Sequence, residues 1–220
     1  MLEDTELRGV YDTLRLSREG IYRWGFYLYR TTYDNQPLWE RYISNLRQRA
    51  FDFIARDFSS KRDEMQATFR ISVIEDRESL DGASIQEVLT RFQSWANALP
   101  DEGDESLDIP ANDIRDYARF NLCIYVDAEC LTSLETSIPF AKVVNAESPI
   151  SDSEEEYSDS EEGLTDNDDE SEASEHDPED DWMYLECESL CRYYDIMIYG
   201  AEWDRQSGLV KYPRKRPWDL

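Results

Sequence analysis

A chain of 220 residues, 40% of them hydrophobic, is long enough for one ordinary domain with a real core, and its formal charge of -27 makes it strongly acidic. A surface of that sign repels nucleic-acid phosphates and anionic lipid headgroups, so direct binding to nucleic acid or membrane is not expected and basic proteins are the expected partners. No stretch approaches about 18 uninterrupted apolar residues, and residues 1–6 have neither the positive flank nor the apolar run of a signal peptide, so a soluble intracellular protein, cytoplasmic or nuclear, is expected.

The first 22 residues carry Leu7, Val10, Tyr11, Leu14 and Leu16 at roughly helical spacing, interrupted by Gly9. From Trp24 to Tyr29 nearly every residue is aromatic or aliphatic on odd and even positions alike, which predicts a strand buried on both faces in the middle of a sheet. Asp34 or Asn35 then caps and Pro37 opens a helix that runs to about Asp57. Its apolar stripe is Trp39, Tyr42, Ile43, Leu46, Ala50, Phe53 and Ile54. After a polar turn at 59–63, residues 67–73 alternate strictly between apolar and polar, the pattern of a half-exposed strand.

Ser84-Ile85-Gln86-Glu87 reads as a capping box, opening a helix over 84–99 with a stripe at Ile85, Val88, Leu89, Phe92, Trp95, Ala96 and Leu99, stopped by Pro100. A helical turn near 112–117 precedes a strand at 120–126 that is apolar on nearly both faces. Asp127 then caps a helix through Ala128, Leu131 and Leu134, and 140–144 is the fourth strand. Beyond the acidic stretch, 182–187 is a late strand, followed by a helix bearing Leu190, Cys191, Tyr194 and Met197. This order predicts an α+β fold with a ferredoxin-like antiparallel sheet and helices on one face. The first and third strands lie centrally, the second and fourth at the edges, with the extra helix and the late strand as additions.

Charge divides the chain further. Of its 50 acids, 17 lie between Ser151 and Asp181 with no Lys or Arg among them, leaving 33 acids against all 23 bases elsewhere. Such a stretch buries too little to offset the entropy of folding, so 148–181 is expected to be a disordered insertion. It divides one domain into a first part at 1–147 and a strand and helix at 182–210, with a basic, Pro-containing tail at 211–220. Ser151, Ser153, Ser158, Thr165 and Ser174 each have an acid three residues on, the pattern read by acidophilic kinases. Lys211, Arg214, Lys215 and Arg216 form the densest basic cluster, either a weak nuclear-import signal or a solvated terminus.

The run Trp24-Gly25-Phe26-x-Leu28-Tyr29-Arg30-Thr31-Thr32-Tyr33, the later Cys123-Ile124-Tyr125-Val126-Asp127-Ala128-Glu129, the acidic insertion and Pro217-Trp218 resemble a large group of short, uncharacterised intracellular proteins of filamentous fungi. The resemblance spans about residues 21–220 and carries no activity, cofactor or catalytic residue with it.

Chemistry-bearing residues are sparse. The single histidine, His176, lies in the acidic stretch, where no rigid scaffold holds it beside a nucleophile. Cys187 and Cys191 lack a second pair at zinc-site spacing, and Cys123 and Cys130 fall on a central strand and the helix after it, so reduced core thiols are expected and no metal or cofactor. Gly-rich phosphate loops are absent. Asp127 with Glu129 is either an N-cap plus a first-turn acid or an acid–base pair. Arg30, at the end of the central strand, either binds an anionic ligand or, as is usual for an arginine at a strand end, faces water or pairs with an acid. Two functions are consistent with these residues. One is a non-enzymatic interaction module showing an acidic, phosphorylatable loop to basic partners. The other is a small enzyme or binding protein for a hydrophobic metabolite, with Arg30 and Asp127 at the mouth of an aromatic cleft.

Overall fold

The structure, a computed structural model, describes residues 24–58, 61–102, 118–146 and 182–197. The helices expected near the N-terminus and at 112–117, the acidic insertion and the basic tail lie outside these residues. In chain order the elements are β1 (Trp24–Arg30), α1 (Gln36–Asp57), α2 (Arg62–Thr68), β2 (Phe69–Ile74), α3 (Arg77–Leu80), α4 (Ile85–Glu102) and α5 (Ala118–Asn121). They continue with β3 (Leu122–Val126), α6 (Ala128–Thr132) running into a 3-10 turn at Ser133–Glu135, β4 (Phe140–Asn145), β5 (Trp182–Glu186) and α7 (Leu190–Met197).

The strands form a single mixed sheet in the order β2-β1-β3-β4-β5. β1 and β3 occupy the interior and β2 an edge, as their burial patterns require. The antiparallel, ferredoxin-like arrangement is not found. β1 runs parallel to both β2 and β3, and β4 is antiparallel to both β3 and β5. The connections explain the direction: β1 to β2 and β2 to β3 each pass through a long helix, α1 and α4, and such a crossover returns the chain parallel to its start. β4 is likewise not an edge strand, because β5 pairs along it from Phe140↔Glu186 to Val144↔Trp182.

Helices cover both faces instead of one. Alternate residues of β1 divide between two cores: Trp24, Phe26 and Leu28 meet the buried stripe of α1 together with Tyr193 and Tyr194 of α7, while Tyr27 and Tyr29 face Val88, Leu89 and Phe92 of α4. All seven stripe residues expected on α1 are buried. Asn35 caps that helix, its Oδ1 accepting from the Leu38 amide at 3.0 Å, with Pro37 in the first turn. The capping box of α4 forms as expected: the Glu87 carboxylate accepts from the Ser84 amide at 2.7 Å and the Glu87 amide donates to Ser84 Oγ.

Three boundaries differ from the sequence pattern. Residues 62–68 form α2 where a turn and the start of a strand were expected, because Met65 is fully buried and its carbonyl accepts from Trp24 Nε1 at 3.0 Å. α4 runs on past Pro100 to Glu102; so near a helix end a proline removes only one intrahelical donor. β3 begins at Leu122, the preceding Ala118–Asn121 being helical. Gly25 has φ +115, and a Cβ there would collide with the Arg70 carbonyl oxygen of the paired strand, so β1 and β2 approach this closely only with glycine at that position.

Candidate functional site

In a sheet of parallel strands the usual ligand crevice lies at the carboxyl ends where the chain connections diverge to opposite sides. Here that point is between β1 and β3, where the strands end at Arg30 and Val126. The backbone fills it. Thr31 donates its amide to the Val126 carbonyl at 2.9 Å and its hydroxyl to the same oxygen at 3.1 Å. The Gly82 amide donates to the Thr31 carbonyl at 2.9 Å, and the Tyr125 hydroxyl donates to the Ala83 carbonyl at 2.9 Å. The loop after α3 is thereby bonded down over the crevice.

Two ionic centres flank this closed edge. Arg30 is 4% exposed. Its guanidinium lies over the rings of Tyr33 and Trp39 at 4.3 and 4.6 Å, while Nε donates to the Thr32 carbonyl at 2.8 Å and Nη1 to Glu75 Oε1 at 3.2 Å. Of the roles expected for Arg30, pairing with an acid is the one seen, and facing water is not, because the side chain is buried. Asp127 directly follows β3, the neighbouring strand, yet it has its own partners. Oδ1 accepts from the Cys130 amide at 3.0 Å as the N-cap of α6, and Oδ2 accepts from Lys142 Nζ at 2.6 Å.

Sequence reasoning missed Lys142. A lysine within a strand reads as solvent-facing, but Lys142 is buried at the centre of β4, opposite Tyr125 on β3 and Tyr184 on β5. Its ammonium bonds Asp127 and, at 2.9 Å, Glu129 Oε2, which also accepts from the Tyr184 hydroxyl at 2.9 Å. The rings of Trp182 and Tyr184 each stand 5.4 Å from Nζ and that of Tyr125 5.8 Å. Burial alone would lower the lysine pKa. The bonds and charge of the two carboxylates more than reverse this and hold the ammonium above its ordinary value. Burial, with the bond to Glu129, pushes the Tyr184 phenol up to about 12. Asp127 and Glu129 thus come together as expected, but around a cation that ties the start of α6 to β4 and β5.

All four cysteines are free and buried. Burial raises every thiol, Cys187 to about 12, and Cys123, Cys130 and Cys191 are likewise held protonated. These are core thiols. Among the described residues no group of three or more His, Cys, Asp and Glu could hold a metal ion, and no helix is long and apolar enough to cross a membrane. Grooves lined by described residues include two that bear on the expected aromatic cleft. One of about 540 Å³ runs along Gln86, Thr90 and Arg91 of α4, and one of about 320 Å³ along Gln48, Arg49 and Asp52 of α1. Phe53 is the single aromatic ring in either, so the aromatic cleft with Arg30 and Asp127 at its mouth is not formed by these surfaces. His176, the five candidate phosphorylation sites and the basic residues of the tail lie outside the described residues.

A second residue that the sequence did not single out is Arg119 of α5, 4% exposed and lying over the Tyr27 ring at 4.3 Å. Comparison with known families, curated proteins and solved structures gives no match to this chain.

Proposed function

We propose that this chain is a non-enzymatic intracellular interaction module that presents an acid-rich connection to basic protein partners. One observation carries the reading. Residues 147–181, with all of that acidic stretch, are the link between two adjacent, antiparallel, directly paired strands, β4 and β5, whose last partners are Val144 and Trp182. The sheet therefore closes at the root of the link whatever the link contains, as in any hairpin. Fastening elsewhere along the pair supports the same view: at its middle Lys142, Asp127, Glu129 and Tyr184 form one bonded cluster, and at its far end the Cys187 amide donates to the Pro139 carbonyl at 2.9 Å. The groups best suited to chemistry at the carboxyl edge are spent on one another, Arg30 on Glu75 and Lys142 on its two acids.

Phosphorylation at Ser151, Ser153, Ser158, Thr165 or Ser174 would add about 1.5 to 2 negative charges per site and strengthen attraction to a basic partner. The tail at Lys211, Arg214, Lys215 and Arg216 fits entry into the nucleus as well as a cytoplasmic location, and the resemblance to fungal proteins supports the intracellular setting.

The test replaces residues 150–180 with a short Gly/Ser linker and measures two properties. Unfolding should stay cooperative with a midpoint within a few degrees of the parent, since loop-closure entropy changes by only about 0.6 kcal/mol per halving of length. Binding of a lysine-rich peptide, salt-dependent in the parent, should disappear. Undiminished peptide binding by the shortened protein would overturn the reading.

A further inference from the structure

The three buried cations of β1, β4 and α5 are treated differently. Arg30 has Glu75, and Lys142 has Asp127 and Glu129. Arg119 has no carboxylate among the described residues. Its Nη2 donates to Ser72 Oγ at 2.8 Å, the Tyr27 ring lies under the guanidinium, and Nε and Nη1 have no hydrogen-bond partner. A ring face and a hydroxyl compensate only part of the lost hydration of a residue 4% exposed, and an unmatched buried charge is among the least favourable arrangements a fold can hold. A missing anion would account for the charge and for one of the two free donors.

The surroundings define which anion. The guanidinium is planar and offers its donors as a fork, the geometry that matches a carboxylate. Beside it stands an aromatic wall: Tyr27 contacts Trp95 at 4.3 Å and Phe92 at 6.3 Å, and Trp95 contacts Phe120 at 5.9 Å. Tyr27, Ser72 and Trp95 beside it are only half-buried, although Nε and Nη1 are themselves buried. A net charge of -27 disfavours the arrival of multiply charged anions such as phosphate far more than that of a monoanion. We propose that Arg119, Ser72 and the Tyr27–Trp95 wall form a binding site for a monocarboxylate carried on an aromatic or aliphatic body, the carboxylate on the guanidinium and the body on the rings.

The experiment titrates the full-length protein with 3-phenylpropionate, using 3-phenylpropanol and inorganic phosphate as controls, and follows the assigned Arg119 Nε–Hε NMR signal together with tryptophan fluorescence. A saturable movement of that signal with the carboxylate, and at least tenfold weaker responses to the alcohol and to phosphate, are expected. Arg119→Met should lose the fluorescence response while its unliganded midpoint stays level or rises, because an unmatched charge has been removed. An Arg119 signal insensitive to the carboxylate, as when an acid of the chain already occupies the guanidinium, would overturn the proposal. So would an equal response to phosphate, or a response that persists in Arg119→Met. If Arg119→Met does not fold, the titration of the unaltered protein decides alone.

Discussion

Replacing Lys142 by methionine keeps most of the apolar stem under the rings of Tyr125, Trp182 and Tyr184 and removes only the charge. Side-chain exposure is 8% for Lys142, 24% for Asp127 and 37% for Glu129. Breaking a fully buried pair by deleting one partner costs about 3 to 5 kcal/mol and deleting one from an exposed pair about 0 to 1. With the cation buried and the acids partly wet, Lys142→Met should cost about 2 to 3 kcal/mol at neutral pH. Adding Asp127→Asn and Glu129→Gln removes the stranded charges, and asparagine still caps α6, so the triple variant should recover most of the loss. Urea unfolding followed by fluorescence measures all of these, with unchanged m values as the check that the same transition is compared. Amide exchange at Met183 and Leu185 should quicken in Lys142→Met, since β5 is held to the sheet at this point. The folded-state pKa of Lys142 is raised, so its contribution is complete below the unfolded value of about 10.4 and is lost as pH rises beyond it. The difference between parent and variant should therefore be flat from about pH 6 to 9 and shrink above about 10.5. A Lys142→Met cost under about 0.5 kcal/mol, or a triple variant whose losses simply add, would refute the claim that this cluster locks β5.

Gly25→Ala should cost at least about 2 kcal/mol, read as a shift of the urea midpoint, because the strained φ and the collision with the Arg70 carbonyl act together. A neutral result would show that β1 and β2 do not approach as described. The buried thiols should resist iodoacetamide at pH 8 unless the protein unfolds, as followed by mass spectrometry; rapid labelling of Cys123, Cys130, Cys187 or Cys191 would contradict their burial. Their folded-state pKa values are raised, so each thiol stabilises fully below the unfolded value of about 8.5 and loses about 1.4 kcal/mol per pH unit above it, producing a steep alkaline unfolding limb. Leu28→Ala, at a fully buried position, should cost about 2 to 5 kcal/mol, whereas Arg70→Ala on the exposed edge strand should be close to neutral in the same assay.

What the amino-acid order makes legible here is burial, and what it hides is direction. β1 announces a central strand because odd and even residues alike are apolar, and α1 announces its core face because Trp39 to Ile54 step by three and four. Neither signal differs between parallel and antiparallel pairing. The helical crossovers before β2 and β3 carry that information, whereas the burial pattern of the strands, two-sided in the first and third and one-sided in the second, fits a ferredoxin-like order equally well. α2 was hidden for a local reason: the alternation from Ala67 onward continues a helix whose one anchor is Met65. Lys142 was hidden for a non-local one. Its partners lie 15 residues before it at Asp127 and, across the acidic link, on β5 at Tyr184, so no window of sequence contains the cluster. The available signal was the pair of acids in the first turn after β3, which called for a cation on the next strand. Arg119 had no such signal, because nothing in Ala118 to Asn121 distinguishes a buried arginine from a solvated one.

The distribution of matched and unmatched charge separates two ends of one sheet. At the carboxyl ends of β1 and β3, where a fold of this strand order ordinarily leaves a crevice, Thr31, Gly82, Tyr125 and Ala83 bond the backbone shut, and each nearby cation is held by an acid of the same chain. A ligand arriving there would have to displace bonds already made, which leaves no surplus for affinity. At the amino end of β3 the reverse holds: Arg119 has donors without acceptors, beside half-buried rings that gain from being covered. The root of the acidic link lies at that same end, since the Ala146 amide donates to the Asn121 carbonyl at 2.7 Å and Leu122 pairs with Asn145. The proposed ligand site and the proposed partner-binding link are thereby neighbours on this fold. The proposed carboxylate site and the root of the link share the contact between Asn121 and Ala146, so salt-dependent binding of a lysine-rich peptide measured with and without 3-phenylpropionate tests for coupling, as a change in affinity that must be reciprocal.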